Sequence, residues 1–277
     1  MINEISPNII NVQFSGNKSI SENDYILYYN EEGLLWKVIE NEFSIPQKTD
    51  FEAFPGNAEA VFLFTFNNIP CFLLRDKPKT KGENFVFKDI TFFRAMPDKE
   101  LAWLSLLGYQ FKYWYQSNRY CGKCAAATLH KTDERAIVCP SCNTVKYPLI
   151  APAIIVAVIC NHKILLIRGM ESRVGWHTLI AGYVDFGETL EQAVKREVAE
   201  EVGLEVKNIR YYKSQPWPLS GSMMIGFVAE ADENEPIKID EKEVSEAVWF
   251  HRGELPPFSP SLSIAGEMIE KFERGEL

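Results

Sequence analysis

Two groups of residues in this chain have types and spacing suited to chemistry. The first is a set of carboxylates, Glu197, Glu200 and Glu201, preceded by the glycine-bounded run Gly182-Tyr-Val-Asp-Phe-Gly-Glu188 and followed by Gly203. Thr189 with Gln192 three residues later forms a capping box, and Gly203 suits a helix C-terminus, so a helix is predicted between them. Leu190, Ala193, Val194 and Val198 give its apolar stripe. At about 100° per residue, Glu197 and Glu201 project into that stripe, with Glu200 at its margin. Adjacent carboxylates beside a core are costly unless cations compensate them, and hard oxygen ligands favour Mg²⁺ or Mn²⁺. For an isolated ExxEE the plain alternative is a salt-bridged helix with Lys195 and Arg196 as partners. The preceding glycine loop shifts the balance toward a metal.

The second group is Cys121-Gly-Lys-Cys124 and Cys139-Pro-Ser-Cys142, separated by fourteen residues. Each CxxC turn aims two thiolates at one ion, and an intervening hairpin brings the pairs together in the spacing of a zinc ribbon. Four thiolates leave no open coordination position, so the zinc is structural, one per chain. Disulfide or redox pairing is the alternative that the spacing disfavours. His130, between the pairs, reads as a hairpin residue because the ligand set is full.

The elements around these groups divide the chain into residues 1–118, 119–147 and 148–277. In the first region VFLFTF (61–66), the Asn67-Asn68 turn and CFLLR (71–75) predict a β-hairpin. FVFKDITFF (85–93) predicts a strand pair or one long bent strand. A helix is expected from Asp98, its N-cap, with Leu101, Leu104, Tyr109 and Trp114 at helical spacing. IIVAVIC, the Asn161-His162 turn and KILLIR (163–168) form a second hairpin, similar in outline to the first. That echo suggests a duplicated domain whose first copy lost its site. His162, His177 and His251 read as turn or surface residues.

The 277 residues carry 38 acidic against 29 Lys or Arg side chains, a net charge of −9. This excludes a broad basic surface for nucleic acid or anionic lipid, although a local phosphate pocket is allowed. Hydrophobic residues at 46% and charged residues at 24% exclude disordered and collagenous chains. The first twenty residues lack the basic start and apolar block of a signal peptide, and the run Leu149–Cys160, broken by Pro152, is too short to span a membrane. A cytoplasmic protein without a membrane partner is expected.

GYVDFGETLEQAVKREVAEEVGL resembles the Nudix box, G-x5-E-x7-R-E-U-x-E-E-x-G-U with U aliphatic, at every fixed position from Gly182 to Leu204. The resemblance implies an α+β chain: a Nudix α/β/α sandwich that hydrolyses a nucleoside diphosphate linked to another group. Beyond the box, Ser214-Gln-Pro-Trp-Pro-Leu-Ser-Gly-Ser222 is similar to the SQPWPFPxS signature of the NADH pyrophosphatase family, departing from it at Leu219 and Ser220. That family also places a four-cysteine ribbon between a degenerate Nudix-like N-terminal domain and the catalytic domain. Here the order is the same.

The family resemblance implies hydrolysis of the NAD(H) pyrophosphate to nicotinamide mononucleotide and AMP, and extends to removal of NAD caps from RNA 5′ ends. It implies Zn²⁺ on Cys121, Cys124, Cys139 and Cys142, with catalytic Mg²⁺ or Mn²⁺ held by Glu197, Glu200, Glu201, Glu243 and the backbone carbonyl of Ala181. It implies substrate contacts at Tyr183, at Gln215, Pro216, Trp217, Pro218, Leu219, Ser220, Gly221 and Ser222, at the backbone of Ala265, and at Tyr147 across a homodimer interface. Arg196 is expected to orient the glutamates. The alternatives are a Nudix hydrolase preferring another nucleoside diphosphate derivative such as ADP-ribose, and a non-catalytic nucleotide-binding regulator.

Overall fold

The computed structural model describes residues 1–16, 18–53, 60–170, 175–258 and 261–277. The chain divides into two compact units, Glu4–Leu149 and Ile150–Leu277, the second also taking in Met1–Asn3.

In the first unit the strands are β1 (Ile10–Asn11), β2 (Tyr25–Asn30), β3 (Gly33–Ile39), β4 (Glu42–Ser44), β5 (Phe51–Ala53), β6 (Ala60–Phe66), β7 (Ile69–Leu74), β8 (Lys79–Thr80) and β9 (Phe85–Lys88). They are followed by helix α1 (Lys99–Ser117) and the short ribbon strands β10 (Leu129–His130), β11 (Ile137–Val138) and β12 (Val145–Lys146). The main sheet runs β1-β6-β7-β2-β3-β4, with β9 beside β3. The predicted hairpin at 61–75 is β6–β7, turned by Asn67 and Asn68 at φ +49° and +67°, left-handed values that asparagine tolerates. The 85–93 stretch departs from expectation. Only Phe85–Lys88 is extended, because Asp89 accepts the Thr91 N–H and starts a 3₁₀ turn over Ile90–Arg94. Helix α1 begins after Asp98 as predicted, but it is buried almost all round from Ala102 to Gly108, so a single stripe understates its burial.

The second unit holds β13 (Ala151–Cys160), β14 (Lys163–Gly169), β15 (Ile180–Tyr183), α2 (Leu190–Val202), β16 (Lys207–Trp217), β17 (Ser222–Glu230), β18 (Val244–His251) and α3 (Ile264–Arg274). The sheet order is β16-β17-β13-β14-β18, with β15 also on β13. Strand β13 is buried on both faces. Ile154, Val156 and Val158 pack with α2, whereas Ile155 and Ala157 pack with α3. This two-sided burial explains the unbroken apolar run in the sequence and sets the three layers, helix, sheet and helix.

The two sheets share one connectivity, and it corrects the hairpin echo. In the second unit the β13–β14 hairpin has β17 parallel to β13, β16 antiparallel to β17, and β18 antiparallel to β14. In the first unit β2–β3 has β7 parallel to β2, β6 antiparallel to β7, and β9 antiparallel to β3. The counterpart of β13–β14 is therefore Tyr25–Ile39, and the hairpin at 61–75 corresponds to β16–β17. Among the described residues, α1 is the first unit's only α-helix, and nothing there corresponds to α2.

Candidate active site and zinc ribbon

Helix α2 is built as its sequence prescribes. Thr189 accepts the Gln192 N–H at 3.2 Å, the Gln192 side chain accepts the Thr189 N–H at 2.8 Å, and Gly203 ends the helix at φ +72°. Ala193, Val194, Val198 and Val202 face the core, and Glu197 and Glu201 lie in the same face at 8% and 6% exposure. Glu200 stands at the margin, exposed.

Arg196 organises the surrounding carboxylates. Its guanidinium donates to Glu188 at 2.6 and 2.9 Å, to Glu197 Oε1 at 2.7 Å, to Glu200 Oε2 at 2.9 Å and to the Tyr183 carbonyl at 2.9 Å. These bonds hold the Glu188 carboxyl down at about 2, chiefly through the Arg196 hydrogen bonds, and raise the arginine's own pKa. Glu188, a box residue assigned no role from sequence, thus anchors the arginine from the loop side; its signal was the fixed glutamate before a capped helix.

Glu201 lies beyond the reach of that arginine. Burial first, then the neighbouring Glu197 and Glu243 charges, push its carboxyl up to about 8, opposed by a hydrogen bond from the Ala181 N–H. Its Oε2 is buried with no hydrogen-bond partner. Glu197 is also raised, mainly by burial against the opposing pull of Arg196. An orphaned carboxylate oxygen beside a second buried carboxylate is an electrostatic deficit that a divalent cation fills. The backbone leaves room for this pair at a glycine: a Cβ built on Gly182 would lie 1.9 Å from Glu197 Oε1. Strand β15 carries Ala181 and Gly182 alongside β13 through the Ile155–Ala181 and Ile154–Gly182 pairs. Glu243 sits exposed in the turn before β18, near enough for its charge to raise both buried glutamates. The donor set fits a hard divalent cation.

The loop after β16 is a tight β16–β17 hairpin in which Trp217 pairs with Ser222 and Pro218–Gly221 turns the chain. Two of its polar side chains point inward. Gln215 is fully buried and its amide is used within the fold: Nε2 donates to Asn3 Oδ1 and the Leu262 carbonyl, and Oε1 accepts the Ile264 N–H at 2.7 Å. It fixes the start of α3. Ser222 is 1% exposed and shares a 2.7 Å hydrogen bond with Ser220 Oγ. Polar substrate contacts from these two side chains, expected from the sequence, are not offered by this geometry. Pro216, Trp217 and Leu219 are half-buried, Pro218 is buried and Ser220 is exposed. Tyr183 presents 53% of its surface, while Ala265 lies in the α3 core and has only its backbone to offer. His177, read as a turn or surface residue, is instead buried, 3.2 Å from Glu246.

In the first unit the four cysteine sulfurs lie within 4.8 Å of one another, the one His, Cys or carboxylate cluster so tight among the described residues. Cys121–Cys142 at 3.6 Å and Cys124–Cys139 at 3.4 Å are far beyond a disulfide of about 2.05 Å. They approach the edge of about 3.8 Å that a tetrahedron with Zn–S near 2.3 Å requires. Each turn closes by a backbone bond, Ala125 N–H to the Cys121 carbonyl and Asn143 N–H to the Cys139 carbonyl, with Ala125 and Asn143 left-handed. N–H groups of Lys123 and Cys124 lower the Cys121 pKa, and the Thr144 hydroxyl helps to bring Cys142 down to about 6. Both effects favour the thiolate a metal needs. His130 is on β10, stacked on Tyr115 at 4.7 Å. Tyr147 is exposed and hydrogen-bonds Glu134.

A three-layer α/β/α unit with a capped, glutamate-bearing helix beside a glycine strand defines a Nudix hydrolase, and the NUDIX domain family model matches residues 150–272. The NADH pyrophosphatase zinc ribbon model matches 116–147, and the NADH pyrophosphatase-like rudimentary NUDIX model matches 23–114. Two relatives, from Salmonella paratyphi C (strain RKS4594) and Escherichia coli O1:K1 / APEC, both named NAD-capped RNA hydrolase NudC, are each 46% identical over 173 residues. Those residues are 62% of this chain and 67% of each relative. A NUDIX hydrolase structure from Nitrosomonas europaea, 21% identical, covers 56% of this chain and 90% of its own with a TM-score of 0.49. The chain belongs to the NADH pyrophosphatase family of Nudix hydrolases, with its zinc ribbon and its rudimentary Nudix domain.

Proposed function

We infer that this enzyme hydrolyses the pyrophosphate of NAD(H), giving nicotinamide mononucleotide and AMP, and acts on the same bond in NAD-capped RNA. The observation that carries the reading is the buried Glu197–Glu201 pair, with an unpartnered Glu201 Oε2, in a chain whose relatives are named for NAD-cap hydrolysis. In the reaction a water oxygen bonds to one phosphorus, the P–O–P bridge breaks, and the bridging oxygen leaves with the other phosphate. Glu197, Glu200, Glu201, Glu243 and the Ala181 carbonyl would hold the divalent cations, Mg²⁺ or Mn²⁺. Such cations neutralise phosphate oxygens and make water more acidic.

The chain's own residues supply the rest. Arg196 fixes Glu197 and Glu200 in place through its fork while Glu188 fixes Arg196 from behind. Glu201 keeps one oxygen on the Ala181 N–H and leaves the other unpartnered. The exposed Tyr183 ring offers a stacking face for a base or nicotinamide. Gln215 acts as a positioning residue for α3 and the Ala265 backbone.

We also assign a homodimer to which Tyr147 contributes. Tyr147 and Leu149, exposed by 59% and 83%, are apolar side chains of the first unit suited to a partner surface. Six cysteines, none in a disulfide, suit a reducing compartment such as the cytoplasm. No helix among the described residues is long and apolar enough to cross a membrane. The deciding experiment incubates the enzyme with NADH, NAD⁺, ADP-ribose and NAD-capped RNA, with Mg²⁺ or Mn²⁺, and identifies the products by mass. Paired nucleotide monophosphates from NAD(H) support the assignment. Release of free nicotinamide, or intact NAD(H) beside rapidly cleaved ADP-ribose, overturns it.

A further inference from the structure

The sheet of the second unit forks. Strand β13 pairs with β14 at Ile159–Ile164 and Cys160–Lys163, and with β15 from Val156–Ile180 to Ala153–Tyr183. Past the fork, β14 runs on beside β18 as far as Gly169–Val244. One arm, β13–β15, carries Ala181. The other, β14–β18, places Glu243, whose carbonyl accepts the Met170 N–H at 2.8 Å just beyond β14. A bulge at Arg168–Gly169 passes over Ser245, whose hydroxyl donates to the Arg168 carbonyl at 2.8 Å. Ala181 and Glu243 thus come from opposite arms, and their spacing depends on what joins the arms.

Backbone bonds between Ile167 and Thr178, at 2.9 and 2.8 Å, make one join. A side-chain cluster that the proposed mechanism does not use makes another. His177, four residues before Ala181, donates its Nε2–H to Glu246 Oε2 at 3.2 Å, and Arg168 Nη2 donates to the same oxygen at 3.0 Å. Glu246 itself lies three residues after Glu243. The His177 ring is buried, with Phe250 edge-on at 5.4 Å. Its Nδ1 is buried without a hydrogen-bond partner, so the bond to Glu246 is what directs the ring. The Arg168 and Glu246 side chains are 41% and 38% exposed, and an ion pair so exposed adds little to stability. What the cluster supplies is position: one carboxylate oxygen ties β14, β18 and the segment leading into β15.

We propose that Glu246 is a positioning residue for the divalent-metal site: by holding Arg168 and His177 on one oxygen, it sets the spacing between the Ala181 carbonyl and Glu243. The inference rests on the proposed catalytic reading, in which both of those groups hold the cations. Partners that orient metal ligands without touching the ion govern affinity by roughly ten- to a hundredfold.

The test titrates Mn²⁺ into the full-length protein without substrate and reads the bound ion from the loss of the free-Mn²⁺ electron paramagnetic resonance signal. Wild type is compared with Glu201→Gln, Glu246→Ala and Glu246→Gln. Glu246→Ala should weaken the Glu201-dependent binding by roughly ten- to a hundredfold. Glu246→Gln keeps an acceptor oxygen for the two donors without the charge, and should recover most of the binding. In NADH hydrolysis the Mn²⁺ activation constant of Glu246→Ala should rise in step, while KM for NADH at saturating Mn²⁺ stays near the wild-type value. Should Glu246→Ala lower the melting temperature, Arg168→Ala, made at a partly exposed side chain, carries the comparison and should weaken Mn²⁺ binding in the same direction. Wild-type Mn²⁺ affinity in Glu246→Ala and Arg168→Ala overturns the proposal. Equal losses in Glu246→Ala and Glu246→Gln also overturn it, because they trace the effect to charge and not to position. Mn²⁺ binding indifferent to Glu201→Gln removes the catalytic reading, and this inference with it.

Discussion

One methyl group at Gly182 would probe how closely the site is assembled. The added Cβ in Gly182→Ala would fall 1.9 Å from Glu197 Oε1, so the carboxylate must move. Displacing a catalytic ligand by about 1 Å can cost on the order of a hundredfold in rate. Steady-state NADH hydrolysis should fall by roughly ten- to a hundredfold while the melting temperature changes little. Unchanged turnover would remove Glu197 from the catalytic set. Glu201 makes a different prediction. Its folded-state pKa near 8 lies above the unfolded carboxylate value, so the folded protein binds the proton more tightly. Its contribution is fully present below about pH 4.5 and is lost as pH rises toward 8. Metal-free protein should therefore lose stability across that window, by up to a few kcal/mol, as Glu197 adds in the same direction. Glu188, held near 2, acts oppositely: its contribution is present above about pH 4.5 and is lost as pH falls toward 2. Denaturant melts of wild type and Glu201→Gln from pH 5 to 8 separate these effects. The variant should show a flatter profile and lose much of the Mg²⁺-dependent stabilisation. Equal slopes in the two proteins would contradict the burial argument.

Elements explain what could be read in the sequence and what could not. Helix α2 was legible because its cap, its stripe and its glycine terminus all lie within the segment itself, and local signals of this kind do not need a tertiary partner. Thr189→Ala should cost about 1 kcal/mol in a chemical denaturation of the protein. The ribbon was legible for the same reason, because its two turns carry their own spacing. The structural bonds of Gln215 were not legible, because a polar residue in a proline-rich loop looks available, and only the later α3 supplies the N–H that its amide oxygen accepts. Residues 85–93 were misread because the capping of a 3₁₀ turn by Asp89 competes with an apolar, β-prone sequence. The ribbon also makes a prediction at this scale. Cys139 is 1% exposed and its sulfur is 3.4 Å from Cys124, so Cys139→Ser removes a buried ligand from the four-sulfur site. The variant should lose zinc by metal analysis and melt at lower temperature, because binding at such sites is coupled to folding. Full zinc loss with an unchanged melting temperature would deny the ion its structural role.

At the scale of the whole molecule, the same strand connectivity occurs twice, and among the described residues a carboxylate helix accompanies only the second copy, where we propose that the chemistry lies. The match of Tyr25–Ile39 to Ala151–Gly169 rests on parallel pairing between strands distant along the chain, which local sequence pattern does not report. On the proposed reading, the second unit's share of substrate choice arises from what surrounds α2. Gln215 and Ser222 are buried and occupied, so discrimination falls to rings, chiefly the exposed Tyr183, with the half-buried Trp217 as a flank. NADH presents an aromatic-like ring at both ends of its diphosphate, whereas ADP-ribose lacks the nicotinamide. NADH should therefore be cleaved with the higher kcat/KM. Tyr183→Ala should narrow the ratio between the two substrates by roughly three- to tenfold, the loss of a stacking contact worth about 1 kcal/mol. Gln215→Ala should lower stability and reduce both activities together, because it loosens the start of α3 and reads neither substrate. Parallel kinetics on NADH and ADP-ribose for these two variants decide the matter: a Tyr183→Ala ratio equal to wild type would place specificity elsewhere, and a ratio altered by Gln215→Ala would return that amide to the substrate.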